Sequence, residues 1–154
     1  MSASQSIYIE APVDEVFDWF KNPRNWVRLN PAAARREEIT DAHLTREGLG
    51  TFHVWRMKPL PGIRFECFGV FTEFVPNQRI VDKWSLALEG TETYTFDAEG
   101  SGTRVTLERQ RRSLWRLRLL DTLVDRFEGP ESEQALVRLK KLMESTGASA
   151  KAAG

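Results

Sequence analysis

The sequence predicts an α+β domain: an antiparallel sheet of seven strands, two short helices and a long C-terminal helix. Its 154 residues are about the length of one compact domain. Between about residues 35 and 110 the apolar residues alternate with a period of two, and turn signals interrupt them at short intervals. From Ser113 onward the apolar residues recur with the period of a helix. Strands joined in order by short turns make an antiparallel meander.

The elements that precede the meander are short. Isoleucines occupy every second position within residues 6–10, which predicts a first strand that ends at Pro12. Residues 11–20 carry two acids in the first turn and four apolar side chains on one face, which is typical of an amphipathic helix. Asn-Pro pairs at residues 22–23 and 30–31 bound a second short helix.

Six further strands follow in order, each bounded by a turn that contains Gly, Pro or Asn. Their predicted spans are 35–46, 50–58, 63–75, 79–88, 91–98 and 103–110. The terminal helix contains Gly129-Pro130, which is expected to kink or divide it. We expect residues 1–146 to form a single domain and residues 147–154 to be a flexible tail, because these last residues are small and polar.

Composition excludes several classes of function. Lys plus Arg and Asp plus Glu both number 22, so the chain has no net charge with which to bind a nucleic acid. The one cysteine, Cys67, is expected to be a small buried hydrophobe. With two histidines and no CxxC, HExxH or nucleotide-binding glycine motif, we expect no metal and no cofactor. The sequence shows no signal peptide and no apolar run of roughly 20 residues, so we expect a cytoplasmic protein.

Several segments carry recognisable motifs in a fixed order. They are Ile9-Glu-Ala-Pro12, Glu15-Val-Phe-Asp-Trp-Phe20, Asn22-Pro-Arg-Asn-Trp26, Gly50-Thr-Phe-His-Val-Trp55, Thr72-Glu-Phe-Val-Pro-Asn-Gln-Arg-Ile-Val81, Tyr94-Thr-Phe96 and Gly102-Thr-Arg-Val-Thr106. Through them the sequence resembles the START-like, or SRPBCC, superfamily, whose polyketide cyclase/dehydratase members begin in this manner. The resemblance implies a helix-grip fold, in which a curved antiparallel sheet wraps a long terminal helix and encloses a cavity. It implies no catalytic residue, since the sequence carries the active-site signature of no enzymatic branch.

Alternation within the strands predicts which polar residues face that cavity. Asp82, Glu92 and Arg109 share a parity with large apolar residues of their strands, so we expect them to face inward. Gly69 is expected to mark a bulge in its strand. For the strand that begins at residue 50 the alternation leaves two inward sets open, either Phe52, Val54 and Arg56 or His53, Trp55 and Met57.

A charged group that faces an apolar interior needs a partner or a wet cavity. We therefore expect Asp82, Glu92 and Arg109 to orient a carbonyl, hydroxyl or carboxylate group of a ligand. The competing interpretation is that these charges reach solvent at strand ends or form a purely structural ion pair. The apolar body of the ligand is expected to contact Phe65, Trp84, Tyr94, Phe96, Leu117, Leu120 and Val124.

These residues favour a non-catalytic protein that binds or transports a small hydrophobic molecule such as a lipid, a polyketide or an isoprenoid. The alternative is an enzyme of the polyketide cyclase/dehydratase type, for which His53 and Asp82 are the candidate acid/base residues. A third interpretation is an interaction protein without a usable cavity. The basic segment from Arg104 to Arg118 is either a transient contact for a membrane surface or a carrier protein, or a solvated part of the fold.

Overall fold

The computed structural model describes residues 2–29, 38–60, 62–85, 89–112 and 133–146. The strands within these residues are β1 (Ser2–Ile9), β2 (Glu38–His43), β3 (Phe52–Leu60), β4 (Ile63–Val75), β5 (Arg79–Ser85), β6 (Glu89–Glu99) and β7 (Gly102–Arg112). An α-helix, α1 (Val13–Phe20), and a 3-10 helix (Pro23–Leu29) lie between β1 and β2. Residues 133–146 form a further α-helix, α2.

All of these strands belong to one antiparallel sheet in the order β1-β7-β6-β5-β4-β3-β2. Strands β2 to β7 are neighbours both in sequence and in space, so the predicted meander is confirmed. β1 pairs with β7, from Ser2 opposite Gln110 to Ile9 opposite Thr103. The sequence placed the start of this strand at residue 6 because the residues before it show no apolar alternation. Backbone pairing with β7 extends it to Ser2.

Register shifts bend the sheet where β2 pairs with β3, where β3 pairs with β4 and where β4 pairs with β5. An extra residue on one strand bends that strand and increases its twist, which curves the sheet. On β4 the shift toward β5 falls between Phe71 and Glu73. Gly69 instead pairs regularly with His53 on one side and Trp84 on the other. The predicted bulge at Gly69 is therefore wrong, and this glycine serves a packing purpose described below.

The core lies between the curved sheet and the helices, and we call the side of the sheet that the helices cover the inner face. α1 begins after Pro12 and has Asp14 and Glu15 in its first turn, where carboxylates interact favourably with the helix dipole. The buried residues of the two N-terminal helical segments are Val16, Phe17, Phe20, Pro23, Trp26 and Leu29. The inner face supplies Ile9, Phe71, Ile80, Tyr94, Phe96, Val105 and Leu107 to the same core.

α2 packs against this core and is attached to it by polar contacts. Lys140 Nζ donates a hydrogen bond to the carbonyl oxygen of Tyr8 in β1 at 2.9 Å. Arg138 Nη1 donates to the carbonyl oxygen of Leu29, at the end of the 3-10 helix, at 2.9 Å. These contacts fix α2 relative to both N-terminal elements. Its buried side chains are Leu136, Leu139 and Met143.

Some expectations fall outside the described residues. They are the kink at Gly129-Pro130, the first part of the predicted terminal helix, the end of the predicted strand 79–88 and the tail at 147–154. Among the residues that the structure describes, no helix has the length and apolar character needed to cross a bilayer.

Leu139 tests the contribution of α2 to stability. Its side chain has no exposed surface, so Leu139→Ala leaves a cavity and should lower the free energy of unfolding by about 2–5 kcal/mol. Val137→Ala on the same helix removes a side chain that is 39% exposed and should change it by less than about 0.5 kcal/mol. Urea denaturation followed by circular dichroism measures both. Equal losses for the two variants would contradict the orientation of α2.

Candidate ligand-binding site

Side chains on β3 show which parity of that strand faces inward. His53 has no exposed surface, whereas Phe52 is 37% exposed. Phe52 stacks on Phe68 of β4 on the opposite side of the sheet, with ring centroids 6.2 Å apart. Trp55 packs against the core. The inward set that the sequence left open is therefore the one that contains His53 and Trp55.

Asp82, Glu92 and Arg109 lie side by side on β5, β6 and β7, and we call these three residues the polar row. Asp82 is opposite Glu92, and Glu92 is opposite Arg109. Arg109 Nη2 lies 2.6 Å from Glu92 Oε1. The side chains of Arg109 and Glu92 keep 23% and 14% of their surface exposed, against 4% for Asp82. The polar row thus runs from a sealed end at Asp82 to an accessible end at Arg109.

A hydrogen bond joins His53 to the sealed end of the polar row, across the intervening strand β4. His53 Nε2 lies 3.1 Å from Asp82 Oδ1. The imidazole crosses β4 above Gly69, where a Cβ atom would lie only 2.1 Å from its Cε1. The backbone N–H of Val70 donates a second hydrogen bond to the Asp82 carboxylate. Gly69 is thus the residue that lets a side chain of β3 reach one of β5.

Burial raises the pKa of two groups on the inner face, Asp82 and Tyr94. Loss of solvent raises the pKa of Asp82, the hydrogen bond with His53 opposes the rise, and the Glu92 carboxylate adds to it. Burial also raises the pKa of Tyr94 well above its usual range, and the negative charge of Glu92 reinforces the effect. Tyr94 therefore remains a neutral hydroxyl at physiological pH, and this hydroxyl donates a hydrogen bond to Glu92 Oε2.

Aromatic rings enclose the His53 imidazole. The ring centroids of Trp26, Trp55 and Phe71 lie 5.4, 6.1 and 6.0 Å from the centroid of His53. Trp26 is held in place by a hydrogen bond from its Nε1 to the carbonyl oxygen of Phe20, at 2.7 Å. His53 Nδ1 is buried and has no hydrogen-bond partner in the part of the chain that the structure describes. One ring nitrogen is therefore bound to Asp82 and the other is available.

Trp84 occupies the next inward position of β5 after Asp82 and is half-buried. Its indole lies over Gly90 of β6, where a Cβ atom would lie 2.2 Å from Cζ2. His53, Gly69, Trp84 and Gly90 are consecutive partners across four strands. Each ring in this series lies over the glycine next to it. At these four positions the inner face therefore consists of two glycines, each covered by the flat ring of a neighbouring strand.

Two of the remaining predicted contact residues lie in the described part of the inner face. Tyr94 and Phe96 are buried on the inner face of β6. Phe65 belongs to β4, but the position of its side chain lies outside the described part of the chain. Leu117, Leu120 and Val124 also lie outside the described residues.

The basic segment from Arg104 to Arg118 does not form a single surface over its described part. Arg104 and Arg109 point to opposite faces of β7, because side chains alternate along a strand. Arg104 Nε lies 2.6 Å from Glu99 Oε2 on the outer face, whereas Arg109 joins the polar row. Residues 113–118 lie outside the described residues.

Sequence reasoning did not find the contact between His53 and Asp82. Alternation assigns each of these residues to a face, but β4 separates their strands, so nothing in either strand alone links them. Gly69 is the signal that was available. It has no positive φ that would require a glycine, so its missing side chain indicates that another group lies above it.

These features define a helix-grip protein, in which a curved antiparallel sheet packs against two N-terminal helical segments and a C-terminal helix. Residues 1–144 match the family described as polyketide cyclase / dehydrase and lipid transport. The protein belongs to this family, which is of the SRPBCC type, as its resemblance to that superfamily implied.

Solved structures with this fold come from several bacteria. One from Chromobacterium violaceum aligns with a TM-score of 0.75 at 16% identity, over 94% of this chain and 98% of that chain. One from Mycobacterium smegmatis gives 0.72 at 18% identity, over 94% and 92%. One from Nitrosomonas europaea gives 0.71 at 18% identity, over 96% and 97%. No curated protein matches the chain. Similarity at this level of identity establishes the fold, whereas function depends on the site.

The raised pKa of Asp82 predicts how its stability contribution depends on pH. Below the ordinary value of 3.8 Asp82 is protonated in both the folded and the unfolded state. As the pH rises through the higher pKa of the folded state, the carboxyl group must ionise while buried, so stability is lost. Asp82→Asn cannot ionise and keeps an oxygen that accepts from His53. The stability of the variant relative to the wild type should therefore increase as the pH rises from 4 to neutrality.

Thermal unfolding recorded at several pH values measures this difference. Asp97→Asn is the matched control, because it removes an exposed carboxylate from the neighbouring strand β6. Its melting temperature should follow that of the wild type at every pH. A difference between Asp82→Asn and wild type that does not change with pH would mean that burial does not control the ionisation of Asp82.

Proposed function

We propose that this protein binds a small, mainly apolar molecule between the inner face of the sheet and the helices, and that the polar row orients the polar end of that molecule. A lipid, a polyketide or an isoprenoid has the required character. The accessible ion pair of Glu92 and Arg109, on the same face of the sheet as the aromatic and aliphatic core residues, is the observation that carries the proposal. The family description, which includes lipid transport, supports it.

An ion pair in this position is poorly explained by stability alone. Replacing a buried ion pair with apolar residues of similar volume is often neutral or stabilising, by as much as about 1–4 kcal/mol. Ile80, Val105 and Leu107 next to the polar row are apolar, so the core tolerates such residues there. Charged groups retained at the accessible end of the polar row are therefore consistent with a role in binding.

Glu92 has the acceptor capacity that ligand binding needs. An ionised carboxylate offers about four lone-pair sites. Arg109 and the Tyr94 hydroxyl each donate to one of its oxygens, so sites remain for a donor on the ligand. A ligand hydroxyl group can therefore bind at Glu92 while the aromatic residues of the inner face contact the apolar body.

Binding of 2-naphthol, compared with 2-methylnaphthalene, tests this role of Glu92. Glu92→Gln removes the charge but keeps the shape, and hydrogen bonds to an ionised acceptor are about twice as strong as neutral ones. We expect the variant to bind 2-naphthol roughly five times more weakly and 2-methylnaphthalene within about twofold of wild type. Equilibrium dialysis measures both affinities.

Glu99→Gln is the matched control, since Glu99 pairs with an arginine of β7 on the outer face. It should leave both affinities unchanged. Equal binding of 2-naphthol by Glu92→Gln and wild type would contradict the role of the polar row. Native mass spectrometry of protein purified from its own host, followed by solvent extraction, identifies the natural ligand. Protein that carries no ligand and binds neither naphthalene would contradict the proposed function as a whole.

The bond between His53 and Asp82 favours a second candidate function, acid/base catalysis on the bound molecule. With the proton on Nε2 donated to Asp82, the lone pair of Nδ1 is free to act as a base. A carboxylate that orients an imidazole in this way is a recurring catalytic arrangement. The cyclase and dehydrase part of the family description is consistent with this candidate.

The step that this pair would perform is proton removal from a carbon next to a carbonyl group. His53 Nδ1 takes the proton, and the electrons of the broken C–H bond move onto the carbonyl oxygen as an enolate. In a dehydration the proton then passes to a hydroxyl group on the neighbouring carbon, which leaves as water while a C=C bond forms. Because His53 has no exposed surface, at least one of the rings that enclose it has to move to admit the substrate.

Exchange of the methyl protons of 2-acetylnaphthalene in D2O tests this candidate. Wild-type protein should exchange the methyl protons faster than buffer alone does. His53→Gln should reduce this acceleration by about a hundredfold or more, because it removes the base. The exposed His43→Gln is the control and should exchange at the wild-type rate. Proton NMR follows the loss of the methyl signal. Equal rates for His53→Gln and wild type would exclude His53 as the base and leave the binding function intact.

A further inference from the structure

We propose that Trp84 donates its indole N–H to an oxygen atom of the bound molecule, and so selects apolar ligands that carry a carbonyl, ether or hydroxyl oxygen. The inference rests on the proposed binding function and specifies its ligand class. In the proposed function, Glu92 of the polar row accepts a hydrogen bond from the ligand. Trp84 adds a group that donates one. Trp84 is then a specificity-determining residue and more than a part of the apolar wall.

The indole N–H of Trp84 has no acceptor among the described residues. Nε1 is buried, and within the residues that the structure describes it makes no hydrogen bond. Buried tryptophan N–H groups usually find an acceptor, because an unsatisfied donor loses its hydration without compensation. Trp26 in the same core follows the rule, since its Nε1 donates to the Phe20 carbonyl. The exception at Trp84 leaves a donor that no described residue satisfies and that an oxygen atom of a bound molecule can satisfy.

Gly90 holds the indole in a defined position. A Cβ atom at residue 90 would lie 2.2 Å from Cζ2, 2.3 Å from Cε2 and 2.8 Å from Nε1. The part of the indole that carries the N–H therefore lies against the backbone of β6. Gly90 has no positive φ, so the strand conformation does not require a glycine there. The absence of a side chain is what allows the ring to lie flat with Nε1 at this level.

The position of Trp84 relative to the polar row gives the geometry of the ligand. Gly90, beneath the indole, lies two residues before Glu92 on the same face of β6. Two residues along a strand correspond to about 6.6–6.8 Å. Trp84 Nε1 and the Glu92 carboxylate therefore belong to neighbouring levels of the inner face. One molecule can place a hydroxyl group at Glu92 and a second oxygen at Trp84.

A ketone and a hydrocarbon of the same shape test the donor. The probes are 2-acetylnaphthalene and 2-isopropenylnaphthalene, in which a CH2 group replaces the carbonyl oxygen, and equilibrium dialysis measures their affinities. Trp84→Phe removes the N–H and part of the ring, and loss of ring area affects both probes alike. We expect it to weaken ketone binding about five- to tenfold more than hydrocarbon binding. Trp19→Phe on α1 is the control and should leave the ratio of the two affinities unchanged.

A second variant and a measurement on the wild type test the inference even if Trp84→Phe does not fold. Gly90→Ala adds a Cβ atom that displaces the indole, so it should reduce the preference for the ketone without removing a polar group. In 1H–15N NMR spectra of the wild type, which has five tryptophans, the indole resonance of Trp84 should move downfield with the ketone and not with the hydrocarbon. Its assignment comes from the resonance lost in Trp84→Tyr.

The outcomes separate the inference from the function on which it rests. If Trp84→Phe weakens both probes by the same factor, or the Trp84 resonance responds equally to both, Trp84 is only an apolar contact and the inference is wrong. The binding function then stands. If the wild type binds neither probe and carries no extractable ligand, the proposed function is wrong, and the inference falls with it.

Discussion

The burial of Asp82 is the constraint on which the rest of the inner face depends. A carboxyl group with almost no contact with water has to find its hydrogen-bond donors within the protein. The donors that reach it, His53 and the backbone N–H of Val70, come from β3 and β4. The bond from His53 requires that residue 69 has no side chain. The imidazole that this bond holds in place is enclosed by the aromatic rings described above. One buried acid thus determines the residue types at several positions of three strands.

The polar row combines two environments within one line of side chains. At the sealed end, Asp82 and His53 have almost no exposed surface, and desolvation raises the pKa of Asp82. At the accessible end, Glu92 and Arg109 form an ion pair that other molecules can approach. Strand pairing alone creates this gradient, because consecutive partners across β5, β6 and β7 run from the covered middle of the sheet toward β1. In the proposed binding function, a ligand would meet charge first and the sealed pair only at greater depth.

Periodicity predicted most of the architecture, because the alternation of a strand and the period of a helix are local properties of a sequence. The same alternation assigned Asp82, Glu92 and Arg109 to one face. It failed for β3, where both parities carry aromatic residues and Phe52 is left exposed. The bond from His53 to Asp82 could not be predicted, since it depends on the register of three strands at once. Gly69 was misinterpreted as a bulge because a glycine in a strand has two physical explanations, backbone irregularity and space for a neighbour.

The pairing of β1 with β7 has a consequence for how the chain is made. Ser2 lies opposite Gln110, more than a hundred residues later in the chain, so β1 is synthesised well before the strand with which it pairs. Contacts so distant in sequence form late, because a long loop has to close before they are made. During that interval strands β2 to β6 can already pair, while β1 remains an unpaired strand with open hydrogen-bonding groups. Its first residues, Ser2 to Gln5, are small or polar, a composition that limits association with other nascent chains.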